Sequence, residues 1–225
     1  MENTVDRDDT ILYKESLQYF GTMLPLVSHE AKNMLAVIKE NAGLMDDYLM
    51  MAQKGKSLNM ERLSSLPASI TKQVGRLNAL ITDVRQTAEG IENDTQDICL
   101  VQHARQVSEL LSKKAATRSI QFQVCAVAET IPIHTWPVLL RHMMWRCLDY
   151  AMRVSQKGQR IEVALEKRAQ NVVVLISGID GLEPGSITGI MPDEQRHTVL
   201  AALNAELTIN ENEKTMMLKI RNHHV

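Results

Sequence analysis

Apolar residues recur at Phe20, Leu24, Val27, Ala31, Met34, Ile38, Met45, Leu49 and Ala52, in steps of three, four and seven. That spacing is one face of a helix carrying a coiled-coil-like stripe. At about 100° per residue, these positions fall within about 40–60° of one another. A stripe so long and narrow commits this part of the chain to a helix from about Ile11 to Lys54, spanning about 60 Å at about 1.5 Å per residue. Pro25 lies inside it and removes one backbone hydrogen bond. Gly55-Lys56-Ser57 reads as the turn. A second helical pattern then runs to about Ala88, with Leu63, Leu66, Ile70, Val74, Leu77, Leu80 or Ile81, and Val84 on its stripe. Pro67 should kink it or mark where its regular part begins. Two such antiparallel helices cannot bury both stripes alone, whereas two hairpins pairing as a homodimeric four-helix bundle can.

His29 lies two residues past Val27 and therefore points about 200° away from the stripe. Asn33 and Glu40 share its side of the helix, Glu30 sits a quarter turn round, and Ala36 leaves room for another protein to approach. A histidine so placed belongs to solvent or to a partner. Ser28-His29-Glu30-Ala31-Lys32-Asn33-Met34-Leu35-Ala36-Val37-Ile38 resembles the H-box of two-component sensor histidine kinases, usually written S-H-E-L-R-N-P-L-x-x-I. Lys32 stands for the arginine and Met34 for the proline, which predicts a weaker kink below the histidine.

The resemblance implies that His29 is the phosphoacceptor, with Glu30 as its hydrogen-bonding or proton-accepting neighbour. It implies for Asn33 a part in orienting water. Lys32, Ala36 and Glu40 complete the face offered to a partner. Imidazole suits the task because it offers a neutral nucleophilic nitrogen near neutral pH. The run from Ile70 to Leu77 also looks like the second helix of the family's dimerisation and phosphotransfer domain.

Beyond Gly90 to Asp97, a polar and aperiodic stretch read as a linker, the pattern changes. A helix (98–116), a strand (119–126) and a helix (136–155) come first. Two strands (160–167 and 171–177), a helix near 193–204 and two final strands ending at Arg221 follow. This order predicts an α/β sandwich with helices over one sheet face, and it resembles the ATP-binding domain of histidine kinases. The fold class expected is therefore α+β, a dimeric helical hairpin followed by a degenerate ATPase-like sandwich. Its divisions are a disordered, charged tail (1–10), the hairpin (11–92) and the sandwich (97–225).

The nucleotide boxes that the resemblance implies are altered. Leu140 to Ala151 aligns with the N-box, L-R-x-x-x-x-N-L-x-x-N-A, and its two asparagines fall at Arg146 and Tyr150. Arginine brings no metal-ligating oxygen, and tyrosine adds bulk. Ile176 to Gly185 resembles the D-x-G-x-G region, where Asp180 could contact adenine or simply belong to a turn, but Leu182 replaces a glycine. Met191 to Ala202 holds no glycine at all. No cofactor is expected, with Mg²⁺ supplied by the partner receiver domain. His134 and His142 have no carboxylate or cysteine spaced to make a metal site. Arg141, Arg146, Arg153 and Lys157 read as a basic helical region, either solvated or facing an acidic partner.

Composition narrows the remaining options. The 225 residues carry a net charge of −2 with 23% charged side chains, so nothing marks a nucleic-acid or membrane surface. Thirteen methionines against 4% aromatics suit long packed helices. Cys99, Cys125 and Cys147 form no CxxC and no even set, which fits free thiols in a reducing compartment. No signal peptide or long apolar span occurs, so a cytoplasmic location is expected, and the short tail leaves no room for a sensor domain. Three functions fit this pattern. One is a histidine phosphotransferase passing phosphoryl groups between response-regulator receiver aspartates through His29 without ATP. A non-catalytic adaptor that docks response regulators and a divergent sensor histidine kinase are the others.

Overall fold

A computed structural model describes residues 2–92 and 95–222 of the chain. It contains α1 (Glu2–Gln53), α2 (Met60–Glu92), β1 (Gln96–Cys99), α3 (Leu100–Ala116), β2 (Gln121–Ala126), β3 (Pro132–Thr135) and α4 (Pro137–Val154). After these come β4 (Arg160–Arg168), β5 (Asn171–Ser177), α5 (Ser186–Ile190), α6 (Asp193–Ala202), β6 (Ala205–Asn210) and β7 (Thr215–Arg221). The architecture is α+β, as the periodicity predicts.

The chain divides into two compact units, one of Gly21–Ala88 and one of Met1–Phe20 with Glu89–Val225. The first is a helical hairpin. Helix α1 ends in a Schellman motif: Gly55 takes φ +66°, its N–H donates to Ala52 O, and the Lys56 N–H donates to Met51 O. Helix α2 starts with Asn59 as its cap, the Oδ1 accepting from the Arg62 N–H at 2.9 Å. Pro25 and Pro67 are both accommodated inside continuous helices. Val27, Met34 and Leu66 are buried along the stripes, and Asn41 Nδ2 donates to Ser69 Oγ across the hairpin at 2.9 Å.

The second unit is built on a five-stranded mixed sheet in the order β2-β4-β5-β7-β6. Strands β2 and β4 are parallel, joined through α4, and every other neighbour in the sheet is antiparallel. β5 occupies the middle, and its run Val172, Val173, Val174 and Ile176 is buried, as a strand covered on both faces requires. Helix α3 packs on β2 and β4 and against α4. Pro137 opens α4 at its first turn. At its far end Arg118 donates to the carbonyls of Met152, Arg153 and Ser155.

Three sequence expectations change here. Helix α1 begins at Glu2, not near Ile11, and its first residues are held by tertiary contacts: Arg7 pairs with Glu194, and Thr198 Oγ1 donates to Asp8 Oδ1 at 3.3 Å. Met1 of the expected tail, and Asn93 and Asp94 of the expected linker, lie outside the described residues. The end of that linker is strand β1, which pairs with β3 in a separate two-stranded sheet. Each of these strands has only four residues, too few for alternation to show in sequence. The short α5 was likewise not legible.

Candidate functional site

Within the hairpin unit, α1 presents the predicted face. His29, Lys32, Asn33, Ala36 and Glu40 are exposed, and Glu30 is half-buried. Asn33 Nδ2 lies 3.2 Å from His29 Nδ1, one helical turn away. An amide nitrogen can only donate, so Nδ1 accepts and the neutral ring carries its hydrogen on Nε2. The structure thus brings His29 and Asn33 together. Glu30 is engaged from the other helix: Arg76 Nη2 donates to Glu30 Oε1 at 3.3 Å. Arg76 lies inside the segment read as the second helix, but its tie to Glu30 was missed. Only the hairpin register reveals it, and α1 and α2 are locally complete helices without that register.

The boxes of the second unit are built from α4, the β5–α5 connection and the start of α1. Arg146 directs its guanidinium toward Glu15 of α1 at 3.9 Å, and His142 Nδ1 lies 3.5 Å from the same carboxylate oxygen. Tyr19 closes this seam, its ring 5.8 Å from that of His142 and 6.1 Å from that of Trp145. Burial raises the Glu15 carboxyl above its usual range, and the Arg146 charge only partly opposes this. Burial first, and Arg146 second, lower His142 to about 3.

Tyr150 lies against Gly189, where a Cβ would come within 2.5 Å of the ring, and Arg153 donates to Gly189 O at 3.1 Å. Asp180 accepts from the Gln156 N–H at 3.1 Å and from Gln159 Nε2 at 3.2 Å, and these bonds hold its carboxyl below its usual range despite partial desolvation. Leu182 is buried, and Gly181 packs on the Val154 carbonyl with no space for a Cβ. Arg146, Tyr150 and Asp180 are thus each engaged by neighbours within their own unit.

Two further expectations need correction. Each histidine considered for metal binding does have a carboxylate beside it: Glu15 faces His142, and Asp97 Oδ1 lies 2.9 Å from His134 Nδ1 across β1 and β3. These neighbours come from distant parts of the chain, so local spacing could not show them. No cluster of three metal-ligating side chains forms among the described residues. The basic helical region is not one surface either. Arg141 is buried and donates through Nε to His103 Nδ1 at 2.5 Å, whereas Arg153 is exposed and pairs with Asp149.

An exposed histidine on the first helix of a hairpin, followed by a mixed sheet under helices, makes this chain histidine kinase-like in fold. No family model matches it. It is 22% identical over 176 residues to the adaptive-response sensory kinase SasA of Synechococcus sp. (strain JA-3-3Ab), a match covering 76% of this chain and 45% of that protein. The chain thus spans about half the length of the curated relative it matches. Full-length ShkA, solved in complex with AMPPNP, superposes with a TM-score of 0.50 and 14% identity, over 86% of this chain and 47% of that one. The Acinetobacter baumannii histidine kinase AdeS gives a TM-score of 0.49 at 14% identity, over 83% and 97% of the two chains. Among the described residues, no helix is long and apolar enough to cross a membrane.

Proposed function

We propose that this chain is a histidine phosphotransferase of a two-component phosphorelay, moving phosphoryl groups between receiver-domain aspartates through His29 without binding ATP. The observation that carries the reading is a contrast. A histidine is presented intact on a rigid exposed face, while the positions that would serve a nucleotide, Arg146, Tyr150 and Asp180, are taken up by contacts within their own unit.

The chemistry follows from the ring. The lone pair of Nε2 attacks phosphorus, the bond to the aspartyl oxygen breaks, and its electron pair stays on the aspartate. For this the ring hydrogen must leave Nε2 and be carried on Nδ1, so the Asn33 bond opens. Glu30, the next residue, is the group to receive the Nδ1 proton. Transfer to a second receiver runs the same steps in reverse. Holding the ring on a helix replaces a bimolecular search with a positioned encounter, and Lys32, Ala36 and Glu40 are the surface a receiver would meet. Mg²⁺ belongs to the receiver. The working unit is a homodimer, since Leu49 remains 60% exposed and Ile81 58% exposed in a single copy, and its proposed setting is the cytoplasm.

The test is to mix the full chain with receiver domains from its own genome, labelled with acetyl phosphate, and to follow label onto the chain. His29→Gln should abolish labelling without altering the dimer. Titration calorimetry should show no low-micromolar binding of Mg-ATP. Labelling that survives His29→Gln refutes the site, and tight Mg-ATP binding favours a divergent kinase. Docking of receivers without label transfer favours the adaptor.

A further inference from the structure

We infer that Arg76 is a positioning residue for transfer at His29, acting through Glu30; this rests on the phosphotransfer reading. The two residues are 46 positions apart and meet only because α1 and α2 run antiparallel in the register that also joins Asn41 to Ser69. The Arg76 side chain is 45% exposed and that of Glu30 21% exposed, so the pair contributes little to stability. Its location gives it a different use. Glu30 is a long side chain with many rotamers, one residue from the ring that must give up a proton. Arg76 Nη2 donates to Oε1 and so limits the orientations open to the carboxylate of the residue that follows His29.

Arg76 also offsets charge. A phosphoryl group arriving at His29 meets the Glu30 carboxylate at close range, and a cation paired with that carboxylate reduces the repulsion. In the step itself the N–P bond forms at Nε2 and the aspartyl O–P bond breaks, its electron pair remaining on the aspartate. The proton on Nδ1 passes to the carboxylate that Arg76 holds in place.

The experiment compares wild type, Arg76→Ala, Arg76→Lys, Glu30→Gln and the Arg76→Ala/Glu30→Gln double variant as full chains. The donor is a receiver labelled with acetyl phosphate. Arg76→Ala should lower the transfer rate constant at saturating receiver about tenfold while leaving the half-saturating concentration unchanged. Arg76→Lys should recover part of the rate. In the Glu30→Gln background, Arg76→Ala should change nothing further, because its effect runs through that carboxylate. Nitrogen-15 shifts of the His29 ring should move in Arg76→Ala, a readout independent of transfer and of any loss of dimer.

A wild-type rate in Arg76→Ala, an equal loss in both backgrounds or unmoved ring shifts would overturn the inference while leaving phosphotransfer standing. A wild-type chain that takes no label from any receiver refutes the phosphotransfer reading, and this inference with it.

Discussion

Acidification from pH 7 to pH 5 should weaken the second unit through two buried imidazoles, and His103 reports it most cleanly. His103 and His142 are 8% and 2% exposed, and in the folded chain they titrate at about 3 against an ordinary 6.5. Burial is the main cause at both, followed by the charge of Arg141 at His103 and of Arg146 at His142. A lowered basic pKa means that the unfolded chain binds a proton which the folded chain refuses. Stability is therefore complete above 6.5 and is lost as pH falls toward 3. At pH 5 both folded rings are still neutral. Since pH 5 lies about 1.5 units below 6.5 and each unit is worth about 1.36 kcal/mol, each ring costs the fold about 2 kcal/mol there.

At His142 part of that loss is returned by Glu15. Its raised carboxyl takes up a proton in the folded state first, which adds stability as pH falls. At His103 the charge that acts on the ring is a cation, Arg141, which lowers it further. The assay is urea unfolding at fixed salt and protein concentration at pH 7, 6 and 5, for wild type and His103→Gln. Glutamine keeps an acceptor for Arg141 Nε. The variant should lose about 2 kcal/mol less than wild type between pH 7 and pH 5. Equal losses in the two proteins would refute the argument, as would a His103 ring that titrates above pH 5 in the folded state by NMR.

Ile81→Asp should leave the chain folded, because Ile81 is exposed within it, yet reduce the proposed dimer to a monomer by light scattering. Each apolar residue buried between copies contributes on the order of 1.5–3 kcal/mol, so a dimer unaffected at micromolar concentration would exclude that face. Gly181→Ala should destabilise by about 1–3 kcal/mol, since its Cβ would lie 2.0 Å from the Val154 carbonyl oxygen, a backbone atom. Gly43→Ala, in an open stretch of α1, should instead stabilise by about 0.5–1 kcal/mol, and thermal unfolding distinguishes the two.

Local pattern was enough for much of this protein. The stripe from Phe20 to Ala52 announced a long helix, because amphipathic periodicity is written residue by residue. The same local rule put His29 opposite that stripe and placed α3, α4, β4 and β5 within a few residues of their observed ends. What joins distant segments was not legible. Arg76 reaches Glu30, Glu15 faces His142 and Arg146, and Asp97 reaches His134, and no spacing rule encodes any of these pairs. The polar start of α1 reads as a tail because its partners, Glu194 and Thr198, lie far along the chain. Sequence determined which helix faces needed covering and that His29 lies away from them. Packing decided which carboxylates and cations would share a buried or half-buried place, because charge is placed by the final register of helices and not by the period of any one of them.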